Sequence, residues 1–159
     1  KILSENISKT EKINELKKIA KETVDIKGIG FYTLGSARKG LNEEQKKKYL
    51  ILFEQYFLKS FSSRLAEYTN PEIDVLGKKV LSENYTIVNS LLKGTSERPE
   101  IKIDWRIYTK NPENPLIRDL IIEGLSLART QKEEFSSILS SNDGDINVLF
   151  STLEKFINN

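Results

Sequence analysis

The chain has 159 residues, with 25 lysines and arginines against 23 acids and a net charge of only +2. That length suits one domain able to bury about 70% of its unfolded surface, and the balanced charge, with no one-sided basic stripe, excludes nucleic acid as a partner. Cys, His and Met are all absent, which removes His- or Cys-based catalytic triads, His-based metal sites and disulfides. The short basic runs Lys17-Lys18 and Lys46-Lys47-Lys48 fall on helical segments and read as solvated faces. No apolar run approaches the roughly 20 residues of a membrane span. The opening Lys1-Ile-Leu-Ser-Glu-Asn6 has no leader signature, as expected of a mature, processed secreted domain or of a cytosolic protein.

Ser8 followed by Glu11 has capping-box spacing, and Ile13, Leu16, Ala20 and Val24 then recur at helical intervals. Asp25 can cap a short second helix running to Gly35, a C-cap glycine, although Gly28 and Gly30 within it weaken its intrinsic helicity. Asn42 with Gln45 predicts the start of the longest helix, over roughly 43–68. Leu50, Phe53, Phe57, Phe61, Leu65 and Tyr68 form its main apolar stripe, while Tyr49, Ile51, Leu52, Tyr56 and Leu58 lie outside it. The middle turns are therefore apolar almost all round, and this helix needs apolar cover on two sides.

After Asn70-Pro71 the period changes to two. Ile73 and Val75 predict a first strand with Gly77 as a turn, and Tyr85 to Leu92 a second, followed by a loop at Lys93-Gly94-Thr95-Ser96. Ile101, Ile103, Trp105 and Ile107 alternate with Lys102, Asp104, Arg106 and Tyr108, the cleanest strand pattern in the chain. Asn111 to Pro115 reads as a turn and Leu116 to Glu123 as the last strand. Such short connections imply an antiparallel sheet. A helix from Ser126 to about Ser140, a break at Asn142-Asp-Gly-Asp145, and a final helix carrying Ile146, Leu149, Phe150, Leu153 and Phe156 complete an α+β chain without repeats or linkers.

One stretch is more specific than the rest. Asp119-Leu-Ile-Ile-Glu-Gly-Leu-Ser-Leu-Ala-Arg-Thr-Gln-Lys-Glu-Glu-Phe135 reads as a strand, a glycine corner at Gly124 and a helix entered at Ser126. Together with Ile101-Lys-Ile-Asp-Trp-Arg-Ile-Tyr108, it resembles the MlaC, or toluene-tolerance, family of periplasmic phospholipid-shuttling proteins. That family's signature is a hydrophobic-Asp-Tyr-Arg strand, an acidic strand ending in Glu-Gly, and a polar helix with Phe. Asp25, Leu34-Gly35, Glu44-Gln45, Phe53, the segment from Leu58 to Tyr68, and Val75 also fall where the family has like residues. The chain departs from the pattern at Ala37-Arg38, at Pro115 and at Gln131-Lys132, positions that bear on the mouth of a pocket and on partner surfaces.

The resemblance implies a single domain over residues 1–159: an antiparallel sheet of about four strands packed by N- and C-terminal helices, with an apolar cavity between sheet and helices. It implies that Leu34, Leu50, Phe53, Phe57, Phe61, Val88, Ile101, Ile103, Trp105, Ile121, Leu125 and Phe135 bind acyl chains. It further implies a periplasmic carrier, its signal peptide removed, that works without cofactor or catalysis and helps maintain outer-membrane lipid asymmetry. Its partners would be phospholipid, an inner-membrane ABC transporter with an MCE-domain ring, and an outer-membrane lipoprotein–porin complex.

The residues alone leave alternatives open. An aromatic stripe also serves as ordinary core, which would make the protein a solid-core interaction module. Asp104, Asp119 and Glu123, near Arg106 and Arg118, could belong to a small cone-shaped α+β enzyme acting on an apolar substrate. Cross-strand pairing and support of the Gly124 corner is the simpler role for these acids, since no nucleophile with an adjacent base accompanies them.

Overall fold

The computed structural model describes residues 7–68 and 71–159. The opening six residues and Asn70 of the Asn70-Pro71 break lie outside the described residues. Helix α1 (Lys9–Thr23) starts at Ser8, whose side chain accepts the Glu11 N–H. Helix α2 (Ile26–Leu34) is capped by Asp25 at one end and by Gly35 at the other. Gly30 is tolerated inside α2 because a Cβ there would meet the Phe53 ring at 2.9 Å, so the glycine lets this helix lie close against its neighbour. A 3₁₀ segment (Gly35–Gly40) leads to α3 (Glu43–Leu65), entered through the reciprocal Asn42/Gln45 capping box. α3 ends at Leu65, three residues short of the span that its periodicity predicts.

The sheet has five antiparallel strands in the order β1 (Ile73–Val80), β2 (Tyr85–Leu92), β3 (Ile101–Tyr108), β4 (Leu116–Ile122) and β5 (Leu125–Ser126). Gly77, expected as a turn, lies within β1 at a register shift against β2, and the hairpin closes at 81–84 instead. A glycine in a strand marks a bulge as readily as a turn, and sequence alone does not separate the two. Between β4 and β5, Glu123 (φ 51) and Gly124 (φ 82) form a two-residue loop with both φ angles positive. This is the tight hairpin geometry that favours glycine. Glu123 also accepts the Lys102 N–H at 2.6 Å and so ties the corner to β3. Ser126 then caps α4 (Leu127–Ser140), and Asp145 caps α5 (Ile146–Asn158).

The buried core is built mainly from helices. Tyr49, Leu52, Phe53 and Leu58 of α3 pack with Leu149, Phe150 and Leu153 of α5, Phe135 and Leu139 of α4, and Ala20 of α1. α3 packs on α1, α2 and α5, whereas the sheet meets the helical layer principally where β4 and β5 reach α4 and α2. Val24 extends this junction through a parallel bridge to Ile117. No helix among the described residues is long and apolar enough to cross a membrane.

Candidate functional site: the inner face of the sheet

The strand pairings fix which side chains share a face. Directly opposed residues project to the same side, and Ile107 opposes Ile117, which packs against the helical core. The inner face therefore carries Ile101, Ile103, Trp105 and Ile107 of β3, Val88, Ser90 and Leu92 of β2, and Ile117, Leu120 and Ile122 of β4. Of these, only Ser90 and Leu92 are buried; the apolar remainder is partly exposed. A packed core would cover them. The sheet meets the helices mainly along one side, and the rest of its apolar inner surface is only partly covered.

The polar groups of this face are satisfied. Trp105 Nε1–H donates to Ser90 Oγ at 2.8 Å, and Ser90 Oγ–H donates to the Ile103 carbonyl at 2.7 Å. The indole thus presents apolar surface with no unmet donor.

On α3, rings run in a ladder: Phe53 stacks on Phe57 at 6.1 Å and Phe57 on Phe61 at 5.5 Å. Phe53 is 1% exposed and meets Phe135 edge-on at 6.4 Å. Phe57 and Phe61, one and two turns further on, are only partly covered. The ladder therefore begins in closed core and ends in a half-open stripe.

The residues expected to line a cavity fall into five places. Val88, Ile101, Ile103 and Trp105 stand together on the inner face, and Leu50, Phe57 and Phe61 are partly buried along α3. Leu34 (2% exposed), Phe53 and Phe135 (2%) are closed into the helical core. Leu125 opposes Ile122 and sits exposed at the lip, while Ile121 opposes Asp104 and points to the outer face. β4 is apolar on both faces, so its alternation carries no parity, and only pairing with β3 selects Leu120 and Ile122 instead of Ile121. Ile107 was within reach of the sequence, because it continues the alternation of Ile103 and Trp105.

The strand acids are committed to structure. Asp119 accepts from the Ser126 hydroxyl and from the Ala128 N–H at 3.0 Å, which anchors the N-terminus of α4 to β4. Asp104 accepts from Asn89 Nδ2 at 2.9 Å across the β2–β3 pair. Arg118 reaches none of them; its Nε donates to Asp25 at 2.7 Å, and its guanidinium stacks 4.0 Å from the Tyr108 ring. Burial works against the Arg118 charge, but hydrogen bonds to Asp25 and Tyr85 hold its pKa above the usual arginine range. Among the described residues no cluster of acids could hold a metal ion.

Two clefts lie away from the inner face. One, of about 530 Å³, is lined by Lys17, Lys18 and Lys21 of α1 and Gln55, Leu58 and Lys59 of α3. The other, of about 510 Å³, lies among α2, the 3₁₀ segment, α4 and Arg118.

An antiparallel sheet joined to a closed helical core, with its apolar inner face only partly covered, defines an α+β scaffold suited to holding an apolar molecule. The family described as MlaC protein matches residues 1–155, and the chain belongs to that family. Comparison with curated proteins gives no match. Among solved structures, a phospholipid-binding protein from Ralstonia solanacearum, determined in complex with a phospholipid, is similar with a TM-score of 0.76. It is 17% identical over 94% of this chain and 84% of the other, a likeness of fold.

Proposed function

We propose that this protein is a phospholipid carrier that works without chemistry. The observation that carries the proposal is the incompletely covered inner face, where Ile103, Trp105 and their neighbours remain partly exposed beside a closed helical core. The acyl chains lie between this face and the Phe57–Phe61 stripe of α3, with Leu125 at the lip and the head group toward solvent. Membership of the MlaC family and the phospholipid held by the Ralstonia relative support this reading. Leu34, Phe53 and Phe135 then act as the rigid wall behind the pocket.

The energetics suit a shuttle. Two acyl chains hold about 30 methylenes, each worth about 0.8 kcal/mol on leaving water. That gross gain of roughly 24 kcal/mol exceeds the ceiling of about 18–21 kcal/mol on non-covalent affinity. A bilayer buries the same methylenes equally well, so exchange between membrane and pocket is nearly balanced while escape into water is very slow. Such a carrier needs docking partners for loading and release. In the periplasm these are an inner-membrane ABC transporter with an MCE-domain ring and an outer-membrane lipoprotein–porin complex, and the traffic maintains outer-membrane lipid asymmetry.

Denaturing extraction of bacterially expressed protein, followed by lipid mass spectrometry, tests the reading. The expected result is close to one diacyl phospholipid per chain. Trace lipid in a folded sample would sink it.

A further inference from the structure

We infer that the cleft between α2, the 3₁₀ segment and α4 is an oxyanion site that takes a phosphate ester, separate from the acyl-binding face. Its walls hold Arg38, Lys39, Arg118 and Lys132 beside Gly28 and Gly35, around a volume of about 510 Å³. Four cations converge there against one neighbouring acid, Asp25, which is already engaged by Arg118 and by the Gly28 N–H. Among the described residues, Arg38, Lys39 and Lys132 form no salt bridge. An uncompensated group of positive charges in a concave site focuses potential on an anion.

Three of the four cations are also held in place. The Arg38 guanidinium lies 4.0 Å from the centre of the Phe31 ring, and the Lys132 ammonium lies 5.1 Å from that of Tyr32. Arg118 is fixed between Asp25 and the Tyr108 ring. Lys132 also passes over Gly35, where a Cβ would stand 3.0 Å from its Cε, and Gly35 has a φ of +57° that a side chain rarely adopts. Cations fixed by aromatic rings lose little freedom on binding, and the free guanidinium fork of Arg38 with the two ammonium groups suits phosphate oxygens, while Arg118, engaged by Asp25 and Tyr85, adds charge at the cleft wall.

A lipid head group and a soluble phosphate ester share this chemistry, and one titration distinguishes them. The delipidated full-length chain is titrated with inorganic phosphate and with glycerol 3-phosphate at low salt, and the Gly28 and Gly35 amides are followed by NMR. Saturable shifts centred on these amides are expected, weakened at least about tenfold in Arg38→Gln/Lys132→Gln. Lys17→Gln/Lys18→Gln, which removes the same charge elsewhere, should leave them intact. Arg38→Gln alone, at an exposed side chain, gives a smaller loss and guards against a fold defect in the double variant. If lipid loading abolishes the shifts, the head group is the occupant; if loading leaves them unchanged, the ligand is a soluble phosphate. Absence of saturable shifts, or equal weakening by both double variants, would overturn the inference. Neither result bears on whether the inner face carries acyl chains.

Discussion

In the helical layer, Tyr49, Leu149 and Leu153 expose at most 1% of their surface. In the sheet, Val75 of β1 is 70% exposed and Val80 is 67% exposed, while β2, β3 and β4 are mostly half-buried. Both layers carry abundant apolar residues, and they pack differently. Apolar surface that a chain leaves uncovered marks a place where something else does the covering. On the proposed function, the closed layer provides stability and the partly covered layer a surface whose cover is exchangeable. Substitutions that weigh one layer against the other test this division directly.

The largest effect belongs to the closed layer. Phe53→Ala removes a ring held between Tyr49, Phe57 and Phe135 and is expected to cost about 3–5 kcal/mol. Phe57→Ala, one turn along the same ladder, removes a ring that is only partly covered and should cost clearly less in delipidated protein. Urea denaturation of both variants measures the gap. Equal losses would mean that the stripe is ordinary core throughout.

The junction between the layers comes next. Asp119 fixes the start of α4 through Ser126 and Ala128, and its loss resembles loss of a helix cap. Asp119→Ala should cost about 0.5–2 kcal/mol. If hydrogen exchange in α4 and β4 is unchanged in that variant, Asp119 is not the hinge between the layers.

Tyr49 links the closed layer to pH. Its hydroxyl is buried against Thr33 at 2.7 Å, and burial raises its pKa well above 10.0 despite that hydrogen bond. Burial raises Tyr56 in the same direction. A raised folded pKa contributes stability that is fully present below the unfolded value, about 10, and is lost as pH rises beyond it. Tyr49→Phe should cost about 1 kcal/mol at neutral pH for the missing hydrogen bond. Above pH 10 its stability should fall less steeply than that of wild type, by up to about 1.4 kcal/mol per pH unit. Parallel pH profiles would place the Tyr49 hydroxyl in water.

Much of this arrangement is legible in the sequence. Ser8, Asp25, Asn42, Ser126 and Asp145 each mark a helix start that the structure keeps, because capping is a local interaction between a side chain and the next turn. The strands at 85–92 and 101–108 likewise match their patterns. Non-local features were hidden. Ile121 and Ile122 are chemically equivalent in an apolar strand, and only pairing with Asp104 and Ile103 assigns their faces. Phe53 and Phe57 belong to one helical stripe, yet Phe135 closes over the first and not the second. The cleft of Arg38, Lys39, Arg118 and Lys132 draws on three distant segments, so no window of sequence contains it.

The smallest stability effect is expected on the open face, and it is the sharpest test of the comparison. Ile103 opposes Ser90 and Ile122 at the centre of the inner surface and is itself only partly covered. Overpacking a closed core typically costs about 1–3 kcal/mol, because neighbours must leave their rotamers to admit the added atoms. On an open face the larger ring of Ile103→Trp finds space that acyl chain would otherwise fill. The delipidated variant should therefore melt close to delipidated wild type, while protein purified from cells carries clearly less phospholipid. A variant that loses stability, yet whose folded fraction retains full lipid occupancy, would show that Ile103 is enclosed in packed structure. The pocket would then have to lie against the exposed strands nearer β1.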